Sequence, residues 1–222
     1  MPVGRSVRIQ VTGRARAGKT TLRHALSLLT AEETRPVDHP GQPAPTLDAD
    51  LLLYILPGTF APADRRLLGT LPPERTLVVL NKADTIGTRW PDAAARAEQL
   101  ATDLGIMVFP VVASVAACTR NGTFTDADVL TLRRHHTRPD PPLTLSHELF
   151  TAPDLAPDPE ARQAVLDHWE LHGVSCALAA LRHDPALGPR ALLQILHSAT
   201  GIDALHRELH HRYELLTTTA GG

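Results

Sequence analysis

Lysine is almost missing from this 222-residue sequence, in which Lys19 and Lys82 are the only two among 22 basic residues. An ammonium is compact and point-like whereas a guanidinium is planar and forked, so lysine kept against an arginine bias marks places where the planar group does not substitute. Cysteine is equally scarce. Cys118 and Cys176 are too few and too far apart for a disulfide framework or a clustered zinc site, which fits a reduced cytosolic setting. No apolar run approaches the ~20 residues that span a bilayer, and Met1–Gln10 lacks the apolar core of a signal peptide. The expected location is therefore the cytoplasm, with membrane contact at most peripheral. Neither sign of charge dominates: 22 basic residues face 24 acidic ones, a net charge of −2. That balance gives no reason to expect nucleic acid as the main partner. No repeat period or low-complexity tract is present.

What is present is an ordinary globular composition, 43% hydrophobic, in a chain long enough for one α/β domain and a smaller second unit. Ser6–Thr12 alternates as a half-buried strand, and Gly13 ends it. Lys19–Leu29 reads as a helix. Asp50 precedes the buried-strand run Leu51–Leu56, Pro57-Gly58 ends it, and a short helix is expected near Pro62–Leu68. Thr76–Leu80 and Met107–Val112 are further strands, with the alanine-rich helix Pro91–Leu104 between them and Gly105 as its stop. Strands alternating with helices imply a parallel sheet flanked by helices, the doubly wound α/β class, whose ligands bind at the carboxyl ends of the strands.

Beyond about Cys118 the strand signal ends. Residues 121–157 read as a proline-rich connector with one short helix at Asp126–His135, and residues 158–222 as a small α-helical unit following the α/β domain at 1–120. Asp158-Pro159-Glu160 is a helix start of cap, proline and acid, with Ala161, Val165 and Trp169 on the apolar face and Gly173 as the stop. Val174–Leu181, Pro189–Leu196 and Asp203–Leu216 complete the unit. Ile202, Leu205, Leu209, Tyr213 and Leu216 form the packing stripe of the last helix.

Gly13-Arg14-Ala15-Arg16-Ala17-Gly18-Lys19-Thr20 matches G-x-x-x-x-G-K-[ST] and lies between a strand and a helix, as that phosphate-binding loop requires. The glycines let the N–H groups of the Ala15, Arg16 and Ala17 stretch turn onto phosphate oxygens, and Thr21 follows on the helix. Lys19 reaches the β- and γ-phosphates, and the Thr20 hydroxyl serves Mg2+. Lys19 is expected to lie open to ligand rather than in the core. Arg14 and Arg16 either touch the nucleotide, stabilising charge in cis, or stand in solvent.

Asn81-Lys82-Ala83-Asp84 directly follows the strand Thr76–Leu80, the setting in which P-loop GTPases carry their N-K-x-D element. The resemblance implies that Asp84 accepts two hydrogen bonds from guanine, whose pair of donors adenine lacks on that edge. It further implies that Asn81 ties this segment to the P-loop and that the Lys82 stem lies along the base. Ala113-Ser114, one strand later, resembles the S-A element whose backbone N–H contacts the guanine oxygen. GTP or GDP with Mg2+ is the implied ligand.

Between those motifs the same family places a switch threonine and then D-x-x-G, whose aspartate holds Mg2+ through water. Asp38-His39-Pro40-Gly41 fits D-x-x-G, and Gln42 stands where Ras-like proteins keep the glutamine that orients the attacking water, giving Lys19 and Gln42 the catalytic roles. Asp38 follows Thr20 by only 18 residues, however. Glu32–Val37 makes a poor strand, Thr30 and Thr34 are the candidate switch threonines, and Asp48 and Asp50 compete with Asp38 for the metal.

The G-R-x-R-x-G-K-T-T-L run with N-K-A-D resembles Era-like and dynamin-like bacterial GTPases. His172-Gly173-Val174 and Ser198–Leu205 resemble the helical region of the dynamin-like group. The resemblance implies a short member with a reduced switch region, hydrolysing GTP weakly, with a protein partner or self-association through the helical unit. Three rivals stand beside it: a pseudo-GTPase scaffold, an adenine-nucleotide kinase, and a metal protein built on His206, His210 and His211 at helical spacing. His135-His136 is a lesser metal candidate of the same kind.

Overall fold

The apolar runs of the first half pair side by side as one parallel sheet. The structure, a computed structural model, describes residues 6–136, 146–154 and 157–219. Part of the proline-rich connector, residues 137–145, 155 and 156, lies outside the described residues. Five strands, β1 (Ile9–Gly13), β2 (Glu32–Glu33), β3 (Leu51–Pro57), β4 (Thr76–Asn81) and β5 (Val108–Val111), take the order β2-β1-β3-β4-β5. Every pairing is parallel. Leu51 to Leu56 are buried without alternation, as a strand covered on both faces requires.

The register aligns the carboxyl edge of the sheet. Gly13 stands opposite Ile55, Pro57 opposite Asn81, and Asn81 opposite Val111. The carboxyl ends of four strands are thus aligned, and both lysine-bearing motifs start there.

Helices α1 (Lys19–Ala25), α2 (Pro62–Leu68) and α3 (Trp90–Leu104) follow β1, β3 and β4. The first ends earlier than Leu29 because Ser27 takes a left-handed φ of 52°. The third stops at Gly105, which is left-handed with φ 65°, as its sequence signals. Tyr54, Leu56, Val78, Leu80, Ala97, Leu100 and Ile106 form a core between sheet and helix.

Glu32–Val37, a poor strand by its composition, does pair. Glu32 and Glu33 lie alongside Gln10 and Val11. Main-chain bonds then continue from Thr34 N–H to the Val11 carbonyl at 3.0 Å and from Val37 N–H to the Gly13 carbonyl at 3.2 Å. An edge strand needs pairing on one side only, so it carries Pro36 and polar residues without an apolar alternation.

The chain divides into two compact units, Met1–Ala113 with Gly201–Gly222, and Ser114–Thr200. The sheet unit therefore includes the last helix, α9 (Ile202–Thr219), which its position in the sequence groups with residues 158–222. The Arg212 guanidinium explains the attachment, donating to the carbonyls of Pro73, Glu74 and Thr76 at 3.0–3.1 Å. Ile202, Leu205 and Leu209 of its stripe are buried, whereas Tyr213 is exposed.

The second unit carries α4 (Ala113–Asn121), which begins at the last residue of the sheet unit, then α5 (Asp126–His135), α6 (His147–Thr151), α7 (Pro159–His183) and α8 (Pro189–Ala199). Its core gathers Trp169, Phe150, Leu132, Val174 and Leu196, with the Trp169 ring stacked on Phe124 at 4.0 Å. Gly173 does not end a helix here. It lies buried inside α7, where an added Cβ would come within 3.3 Å of Leu196, so its smallness serves packing. The interruption falls instead at Glu170, with φ 55° and ψ 169°.

Candidate functional site

The loop from Gly13 to Thr20 turns from β1 into α1 through left-handed backbone at Arg16, φ 58°, and Gly18, φ 91°. Two of its glycines are fixed by space as well as by conformation. A Cβ on Gly13 would stand 2.5 Å from the Ile55 carbonyl oxygen, and one on Gly18 would stand 2.3 Å from Nδ2 of Asn81. Ala17 between them is fully buried, whereas Ala15 and Arg16 are exposed and Thr21 is half-buried.

Asn81 joins three segments of chain. Its Nδ2 donates to the Ala17 carbonyl at 2.9 Å, and its Oδ1 accepts from the Ala113 N–H at 3.1 Å. Both bonds are buried, and together they fix the Gly13–Thr20 loop and the Ala113 backbone to the end of β4. The tie from Asn81 to the loop is the one the motif implies. The Ala113 N–H, implied as a guanine contact, instead bonds Asn81. Ser114 belongs to the second unit, where its hydroxyl donates to Glu170 at 2.7 Å.

Past Asn81 the chain reverses sharply. Lys82 is left-handed with φ 58°, and Ala83–Thr85 form one 3-10 turn closed by the Thr85 hydroxyl on the Lys82 carbonyl at 2.7 Å. Lys82 and Asp84 are exposed while Ala83 is buried, so the turn is anchored by its alanine and presents its charged groups outward.

Lys19 differs from its expected exposure. Only 7% of it is accessible, and its ammonium donates to the carbonyls of Arg14 at 3.0 Å and Gly13 at 3.4 Å. The loop wraps its own lysine, whose main-chain acceptors replace water. Burial pushes its pKa below the ordinary lysine value, against the opposing attraction of Glu33 and Asp38.

Arg14 neither stands in solvent nor points along the loop. Its Nη2 donates to the Thr59 carbonyl and hydroxyl at 3.0 and 2.8 Å, and its Nε lies 3.0 Å from Asp64 as an ion pair. Asp64 is fully buried and also accepts from Tyr54 Oη at 2.9 Å and the Ala61 N–H at 2.8 Å. Burial first, then Asp64, raises the Tyr54 hydroxyl far above the ordinary tyrosine range.

The middle segment reaches the loop through Asp38, whose Oδ1 accepts from the Ala15 N–H at 2.9 Å. A carboxylate therefore already takes one of the loop's N–H groups as an anion would. Asp48 and Asp50 are excluded as competitors. They bond Arg8 at the amino ends of the strands, on the order of 15 Å from the loop along β1 and β3. Thr34 is buried, its hydroxyl 2.8 Å from that of Thr12, and Thr30 is exposed. Gln42 is exposed, and its amide oxygen accepts from Arg35 at 3.1 Å.

The group that composition did not reveal is Glu33. Its carboxylate accepts from the Thr20 hydroxyl at 2.8 and 3.0 Å and lies 3.5 Å from Arg23. An acid on the polar edge strand that pairs with the loop's own strand is the only signal that would have found it.

The histidine rival is not supported by the geometry. The His206 and His210 rings stand 6.5 Å apart, and His210 faces Glu214 at 3.5 Å. His135 is buried within the second unit. Among the described residues no group of three or more histidine, cysteine or acidic side chains is arranged to hold a metal ion by itself. No helix among them is long and apolar enough to cross a membrane.

Compared with known proteins, the chain matches no family model, and no curated protein is significantly similar to it.

Proposed function

We propose that this protein binds guanine nucleotide with Mg2+ in the manner of a P-loop GTPase and hydrolyses GTP weakly. The observation that carries the reading is Asn81, whose side-chain amide donates to the Ala17 carbonyl of the G-x-x-x-x-G-K-T loop and whose main chain leads into Lys82–Asp84. A phosphate loop and a carboxylate suited to guanine are thereby tied together on the edge where doubly wound sheets bind ligands. Backbone N–H groups of the loop and Lys19 would hold the phosphates, and exposed Asp84 would accept from the ring N–H and exocyclic amine of guanine. Thr20 and Asp38 suit the Mg2+ site, since both stand at the loop and both offer oxygen.

Support for weak turnover is specific. Gln42 bonds Arg35, Thr34 is buried on Thr12, and Arg14 is held on Asp64 and Thr59. The groups that would orient water or spread γ-phosphate charge are thus engaged elsewhere. The reading carries with it a cytoplasmic protein with a protein partner or self-association through the helical second unit. Base choice is tested by Asp84→Asn, which exchanges an acceptor oxygen for a donor. Titration with labelled GDP and XDP should show preference moving from guanine to xanthine; an unchanged preference removes Asp84 from base recognition.

A further inference from the structure

The Thr20 hydroxyl, which the nucleotide reading gives to Mg2+, has another oxygen beside it. Glu32 and Glu33 are neighbours on β2, so their side chains leave opposite faces. Glu32 bonds Gln10 at 3.0 Å, and Glu33 bonds Thr20 on the side of the phosphate loop. Thr34, the next residue after Glu33, is withdrawn into the sheet on Thr12. The Thr20 hydroxyl and the two Glu33 oxygens are 2.8 and 3.0 Å apart. That separation is a hydrogen bond, and a Mg2+ replacing it would need little movement, because neighbouring ligands of an octahedral ion at 2.0–2.1 Å stand about 2.9 Å apart. The side chain is about one-quarter accessible, so the metal has an approach. One carboxylate and a hydroxyl are too few oxygens to hold Mg2+ alone, and phosphate oxygens ordinarily complete such a site.

Resting on the nucleotide reading above, we propose that Glu33 supplies a carboxylate oxygen to the Mg2+ of the nucleotide complex, beside Thr20. The consequence is a strong coupling between metal and nucleotide. Without Mg2+ the Glu33 charge faces the phosphates directly and repels them; with Mg2+ it faces the cation and holds the complex together.

The test measures GDP affinity of purified full-length parent, Glu33→Gln and Glu33→Asp, each in excess Mg2+ and in chelator, beside their thermal unfolding. The parent should gain at least tenfold in GDP affinity on adding Mg2+. Glu33→Gln should lose most of that gain yet bind GDP in chelator at least as tightly as the parent, because the repelling charge is gone. Glu33→Asp, which keeps the charge on a shorter stem, should keep the weak chelator binding and recover part of the Mg2+ gain. A Glu33→Gln protein whose Mg2+ gain equals the parent's overturns the proposal and leaves the nucleotide reading standing. So does one that loses affinity equally in both conditions along with thermal stability, the mark of a purely structural bond to Thr20 and Arg23. A parent that binds no guanine nucleotide in either condition overturns the nucleotide reading and this inference with it.

Discussion

Asn81 uses both ends of one amide on buried main chain, tying the Ala17 and Ala113 backbone to the end of β4. Replacing it by alanine orphans the Ala17 carbonyl and the Ala113 N–H, both buried, at about 1–3 kcal/mol for each group left unsatisfied. Urea denaturation of nucleotide-free Asn81→Ala should register that loss, and GDP affinity should fall with it; a variant as stable as the parent would show that the clamp is not structural. Lys19→Ala is a milder case, because the Gly13 and Arg14 carbonyls keep main-chain donors in Val37 N–H at 3.2 Å and Ala17 N–H at 3.4 Å. Its removal should weaken triphosphate binding and cost about 1 kcal/mol of nucleotide-free stability, the net worth of an ordinary hydrogen bond rather than of an orphaned group. Unaltered thermal unfolding of Lys19→Ala would mean that the bonds to its own loop carry no weight. At this scale the sequence was readable where the candidate site lies in contiguous chain. Gly13–Thr20 and Asn81–Asp84 are local motifs, and each sits where its pattern requires. Glu33 and Arg14 were not readable, because what they touch, Thr20 and Asp64, is fixed only by tertiary pairing.

Among the elements, those with apolar runs were legible and those made by main-chain pairing alone were not. Leu51–Pro57 and Thr76–Asn81 announce themselves by buried residues, whereas β2 is made of two glutamates and exists because β1 has an open edge. Gly173 carries the composition of a stop but serves as a packing surface, and the real interruption of α7 at Glu170 has no sequence signal that we can name. The start of α3 offers a pH test. Asp92 accepts from the N–H groups of Thr88 at 2.9 Å and Arg89 at 3.0 Å, and these bonds hold its carboxyl below the ordinary aspartate value of 3.8. The ionised form is the one favoured by folding, so its contribution is complete above the ordinary value and disappears as pH falls through the lowered one. Asp92→Asn should therefore flatten the acid limb of the stability profile below about pH 4. An identical acid limb in parent and variant would remove Asp92 from it.

For the whole molecule, the sheet unit is discontinuous in sequence, and α9 returns to it after the second unit. Chain ending at Thr200 would lose the Arg212 bonds to three carbonyls and the buried Ile202, Leu205 and Leu209. That truncation should lower the unfolding temperature and weaken nucleotide binding together, although every motif residue is retained; a truncated protein that binds nucleotide as the parent does would show that the sheet unit stands without α9. In turnover, the full chain should hydrolyse GTP far below the ~1–10³ s⁻¹ of typical enzymes in single-turnover assays, and a partner that supplies charge in trans should raise the rate. Rapid hydrolysis by the protein alone would contradict the reduced-switch account.

The central claim, that Gly13–Thr20 and Asn81–Asp84 together read guanine nucleotide, is tested most directly by titrating the parent protein with labelled GDP and ADP at saturating Mg2+. On the proposed reading Asp84 would meet two donors on guanine and no matching pair on adenine, so GDP should bind on the order of a hundredfold tighter than ADP, the upper part of the range for a buried polar group left unpaired at about 1–3 kcal/mol. Equal affinity for the two nucleotides, or no binding of either, would contradict the account.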